Sequence, residues 1–120
     1  MSDKAPFIPE VSLNDLQEIV GDDPEVLKDV IDSFLQDAPK LLKSIQEGTK
    51  AKDVKLVERS AHTLKSSSRL FQAENFAVQC QELEELARNA DWETIAVEMS
   101  QLGQNFRLVA QLLVAELNKL

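Results

Sequence analysis

The stretch DPEVLKDVIDSFLQDAPKLLKSIQEG, residues 23–48, decides the architecture. Asp23 offers a side-chain acceptor and Pro24 follows it, a pairing that opens helices, because proline at the first helical position lacks only an N–H that has no intrahelical partner. Leu27, Val30, Ile31, Phe34, Leu35, Ala38, Leu41, Leu42 and Ile45 then recur at steps of three and four. That is the apolar stripe of an amphipathic helix. It keeps phase through Pro39, where a break would reset it, so the spacing predicts one long helix, kinked at Pro39 and ended by Gly48 and Thr49.

The sequence on either side gives this helix its neighbours. Asp53 caps a third helix with Val54, Val57, Ala61, Leu64, Ser68 and Phe71 inward. A fourth runs over about 74–89, with Phe76, Cys80, Leu83 and Ala87 on one side. Asp91 caps the fifth and longest, whose stripe is Trp92, Ile95, Met99, Leu102, Phe106, Val109, Leu113, Leu117 and Leu120. Gly103 lies inside that pattern, costing about 1 kcal/mol relative to alanine. Upstream, Ser12 with Asp15 three residues on is an acidic variant of the capping box. It opens a short helix with Leu13, Leu16, Ile19 and Val20 inward, stopped by Gly21. Residues 1–11, carrying Pro6 and Pro9, read as an extended arm that Phe7, Ile8 and Val11 strap to the surface. With no strand-period segment, internal repeat or linker, the expectation is all-α. Residues 12–120 form an antiparallel up-and-down four-helix bundle with a short additional N-terminal helix.

Composition agrees and narrows the function. The chain has 120 residues, 43% of them hydrophobic, which suits one domain with an ordinary core. Three glycines, four prolines and no tyrosine leave little material for hairpins. The single Cys80 excludes an internal disulfide framework and fits a reducing compartment. One histidine and one cysteine do not make a structural zinc site. No run approaches the eighteen or so apolar residues of a membrane span, and the start, MSDKAP, lacks a secretory pattern. A soluble cytoplasmic protein is expected, with no membrane partner. The net charge of −8 argues against nucleic acid as a partner.

That charge is unevenly placed. Residues 40–69 hold eight basic side chains against three acidic ones, a local +5 in an acidic chain. Within this segment lies the only histidine, His62. At ~100° per residue its side chain points roughly 130° away from the core line of the third helix, onto the outer face. Lys55, Glu58, Arg59, Lys65, Ser66 and Arg69 share that face, while Ser67 and Ser68 point toward the core. A lone helix histidine is in most proteins only a solvated surface residue. Here basic neighbours keep the ring neutral and nucleophilic and offset the charge of an anionic group such as phosphoryl. No nucleophile with an orienting carboxylate stands beside it for hydrolysis. The glycines are too scattered for a nucleotide cradle, so nothing here binds and splits ATP.

Ala61-His62-Thr63-Leu64-Lys65-Ser66-Ser67-Ser68 resembles the signature Ala-His-x-Leu-Lys-Gly-Ser-Ser of histidine-containing phosphotransfer (HPt) domains. The resemblance continues through Leu70-Phe71-Gln72-Ala73 and Cys80-Gln81-Glu82-Leu83-Glu84, and upstream in Phe34-Leu35-x-x-x-Pro39-x-x-Leu42, covering about residues 12–115. It implies a phosphorelay carrier that is not an enzyme in its own right. His62 would take the phosphoryl group from a receiver-domain aspartyl phosphate or a kinase and pass it to another response-regulator receiver. Lys65 would steady the phosphoryl charge and Glu84 would orient the histidine. Lys55, Arg59, Ser66 and Arg69 would form the docking face. The implied partners are receiver domains and a sensor or hybrid histidine kinase, met as a monomer. No cofactor is implied on this chain, Mg²⁺ being carried by the receiver.

Two positions depart from the family pattern, Ser66 and Gln72, where glycine is usual. Serine adds a hydroxyl where a partner closes over the histidine, and glutamine is bulkier where glycine allows close packing or backbone approach. Two other readings therefore stand beside the carrier. One is an interaction module that binds without carrying phosphate. The other is the phosphoacceptor domain of a larger chemotaxis-type or hybrid kinase.

Overall fold

The computed structural model describes residues 6–120, and all of their regular structure is helical. The helices are α1 (Asn14–Val20), α2 (Pro24–Ala51), α3 (Val54–Arg69), α4 (Glu74–Arg88) and α5 (Trp92–Lys119). α3 packs between α2 and α4, and α5 closes the ring between α4 and α2, with α1 lying on α2. Short connections make neighbours antiparallel, so the four long helices form an up-and-down bundle. Residues 1–5 of the expected arm lie outside the described residues.

Three aspartates open three of the four long helices, α2, α3 and α5, as their chemistry requires. Asp23 accepts from the Glu25 N–H (2.9 Å), Asp53 from that of Leu56 (3.1 Å) and Asp91 from that of Thr94 (3.2 Å). Each satisfies a first-turn donor that has no intrahelical partner. α2 is one helix through Pro39, but it passes Gly48 and runs on to Ala51. Gly48 is there for proximity: a Cβ would lie 2.7 Å from Val57 Cγ2 on α3.

The stops are made by other residues. Lys52, Gln72 and Ala90 take left-handed backbone conformations, with φ near 54°, 53° and 52°. At each, the following N–H bonds back to a carbonyl of the last turn: Asp53 to Gly48 (2.8 Å), Ala73 to Ser68 (3.1 Å), Asp91 to Leu86 (2.9 Å). With the companion bonds from Lys52, Gln72 and Ala90 themselves, this is the Schellman arrangement, usually built on glycine. An L-residue held there costs about 1–2 kcal/mol. Gln72 offsets part of this cost, since its Oε1 accepts from the Asp15 N–H (3.2 Å) at the start of α1. The left-handed conformation at Gln72 is one that favours glycine.

The predicted stripes fill the core. Leu27, Ile31, Phe34, Ala38 and Ile45 meet Val57, Ala61, Leu64, Phe76, Cys80, Leu83, Ile95, Leu102 and Leu113, all buried. Phe34 joins Phe71 (centroids 5.0 Å) and Phe106 (5.9 Å), and Phe76 also meets Phe106 (6.0 Å), tying α2, α4 and α5 to the turn that follows α3. Among the buried polar side chains, Asn105 bonds Gln79 (2.8 Å) and Gln101 (2.9 Å), leaving its amide partnered.

Three N-terminal expectations are corrected. Ile19 is exposed, and so is Ile8, whose carbonyl rather than its side chain anchors the arm by accepting from Asn75 Nδ2 (3.0 Å). Glu10 accepts from the Asn75 N–H (3.0 Å), and the Ser12 N–H donates to the Phe71 carbonyl (2.8 Å). Phe7 and Val11 pack on the core as expected. Ser12 Oγ accepts from the Asn14 N–H (3.2 Å), two residues on, so the capping box with Asp15 does not form.

Candidate functional site

His62 on α3 and Glu84 on α4 face each other across the seam between these helices. The imidazole is 61% exposed, while the Glu84 side chain is only 4% exposed. Glu84 Oε1 lies 3.0 Å from His62 Nδ1 and 2.8 Å from Lys65 Nζ. Glu84 Oε2 accepts from Arg88 Nη2 at 2.8 Å, and Arg88 Nε lies 3.4 Å from Glu58 Oε2. Glu58 and His62 are one turn apart on α3, as Glu84 and Arg88 are on α4, so two like-spaced pairs meet face to face.

The electrostatics follow from that packing. Burial acts to raise the Glu84 carboxyl, but hydrogen bonds from Lys65 and His62, reinforced by their charges, outweigh it and hold the group below the usual carboxylate range. An ionised Glu84 is a hydrogen-bond acceptor for Nδ1–H. The ring is thereby held in the tautomer whose Nε2 carries a lone pair toward solvent. Beneath, burial and then the Glu84 charge push the Cys80 thiol up to about 12, against the opposing pull of Lys65. A thiol so raised is not nucleophilic near neutrality.

Lys55 and Arg59 line the same shallow depression as Glu58, His62, Lys65, Glu84 and Arg88. Lys65 differs from expectation. At three residues beyond His62 it turns toward α4, and its side chain is 11% exposed, bound to Glu84 instead of standing free on the outer face. Ser66 and Arg69 are exposed but do not line the depression, and Arg69 reaches Glu74 (Nη2–Oε1 3.6 Å). Ser68 is buried as predicted, donating to the Leu64 carbonyl (2.7 Å), whereas Ser67 is only half-buried. Arg88 was missed in the sequence, although its place four residues after Glu84 is a legible signal. Among the described residues no cluster of three or more His, Cys, Asp or Glu converges as a metal site, and no helix is long and apolar enough to cross a membrane.

The model of the Hpt domain matches residues 29–118, three-quarters of the chain. The chain belongs to the Hpt domain family. Among solved structures, histidine-containing phosphotransfer protein B (HptB) from Pseudomonas aeruginosa PAO1 superposes with a TM-score of 0.82. It is 26% identical, and the match covers 98% of this chain and 99% of that one. No curated protein sequence matches significantly. Hpt proteins are histidine phosphotransfer carriers of phosphorelays, passing phosphoryl groups between kinases and response regulators, and they are not kinases themselves.

Proposed function

We propose that His62 is the phosphoacceptor of this carrier, taking the group from a receiver aspartyl phosphate and passing it to the aspartate of another receiver. The reading rests on one observation: an exposed imidazole whose Nδ1 is held 3.0 Å from a buried carboxylate. The Nε2 lone pair attacks phosphorus in line with the acyl phosphate bond. As the N–P bond forms, the P–O bond to the aspartate breaks and its carboxylate leaves. The ring becomes cationic in that step, and Glu84 stabilises it through the Nδ1 proton. Lys65, beside Glu84, steadies the incoming phosphoryl oxygens. Such a transfer depends on positioning and charge, with little covalent work for the carrier. Lys55 and Arg59, with Ser66 and Arg69 farther along the face, meet the acidic rim of the receiver, which brings its own Mg²⁺.

Incubation with a phosphorylated receiver is expected to label the protein at His62 with a bond that is stable in alkali and lost in acid. His62→Gln should abolish labelling while leaving the helical content unchanged. Acid-stable label, or label that survives His62→Gln, would sink the assignment.

A further inference from the structure

We propose that Arg88 is a positioning residue for the phosphotransfer, anchored by Glu58 and acting through Glu84 to set the tautomer of His62. The inference builds on the carrier reading and adds residues to it. Glu84 Oε1 is shared by His62 Nδ1 (3.0 Å) and Lys65 Nζ (2.8 Å). A carboxylate held only there is free to rotate toward the charged lysine and release the neutral ring. Its second oxygen is held by Arg88 Nη2 at 2.8 Å, which stops that rotation.

Arg88 is itself 53% exposed, and a half-exposed arginine needs a reason to stay in one place. Glu58 supplies it, with Oε2 at 3.4 Å from Arg88 Nε. One edge of a planar guanidinium thus spans carboxylates on two helices, which a lysine ammonium on a flexible stem does not reproduce. The chain of contacts runs Glu58–Arg88–Glu84–His62 and ends on Nδ1–H, the proton that leaves Nε2 free to attack.

His62 is the only histidine, so its ring nitrogens report without ambiguity in nitrogen-15 NMR of the intact protein at mildly alkaline pH. The wild type is expected to show mainly the Nδ1–H form. Arg88→Ala and Arg88→Met should both shift the tautomer ratio about tenfold toward Nε2–H and slow the initial rate of labelling by a similar factor. Methionine keeps the apolar stem, which controls for packing. Arg88→Lys should fall between them and the wild type, and Glu58→Gln should move the ratio in the same direction by less. A wild-type ratio in the alanine and methionine variants overturns the inference, even if labelling slows, because Arg88 would then serve docking alone. If the wild-type protein takes no label, the carrier reading falls, while the tautomer ratio still decides the role of Arg88.

Discussion

Two seams on opposite sides of the bundle are built differently. On α3 and α4 small side chains are among those fully buried, Ala61 on one and Ala77 and Cys80 on the other. The two helices make the most extensive contact in the molecule, and the charged side chains at its edge bond at 2.8–3.4 Å. Between α2 and α5 the contact is slighter, and an open groove lined by Pro39, Leu42, Lys43, Met99, Gly103 and Arg107 runs along it. A Cβ added at Gly103 would meet nothing within 4 Å. Close packing holds the α3–α4 side chains near enough to bond to one another, and the looser seam leaves its polar side chains along an open edge.

Added volume should therefore act oppositely at the two seams. Ala61→Leu is expected to cost about 2–3 kcal/mol by overpacking. It should also slow labelling of His62 by pushing Glu84 out of reach, checked by denaturant unfolding alongside the transfer assay. Wild-type transfer in a destabilised Ala61→Leu would break the link between packing and site.

Glu84→Gln tests the charge at the tight seam, with an expected loss of about 1–2 kcal/mol near neutrality. Because the folded-state carboxyl is held low, its contribution is fully present above the ordinary carboxylate range and is lost as pH falls through the lowered value. The glutamine variant should therefore lose less stability than the wild type on acidification, seen as a flatter melting temperature against pH.

The smallest effect is expected at the loose seam. Gly103→Ala should gain about 1 kcal/mol from helix propensity, with no change in transfer. A loss of stability there would show that the groove is closer packed than its lining indicates.

At the aspartate-capped long helices the starts were legible and the stops were not, for a local reason, whereas at α1 the stop at Gly21 was legible and the start was not. Asp23, Asp53 and Asp91 advertise their role because a short acceptor side chain can bond only the first-turn amides. Lys52, Gln72 and Ala90 carry no such mark, since their left-handed conformation is imposed by the chain reversal around them. In the site, His62 was legible from helical phase and Glu84 from resemblance. The burial of Lys65 was not, because phase alone does not say how close α4 comes.

The sequence by itself determined the helices, their inward faces and a lone histidine on an outer face, since these depend on a 3.6-residue period and on side chains near in sequence. It also spaced Glu58 from His62, and Glu84 from Arg88, by one helical turn. Only the tertiary structure decided that these pairs meet. Antiparallel packing of α3 on α4 sets one register, placing Arg88 opposite Glu58 and Glu84 opposite His62. That register is a property of two helices together, fixed by their core packing and the turn at Gln72, so it is not contained in either helix alone.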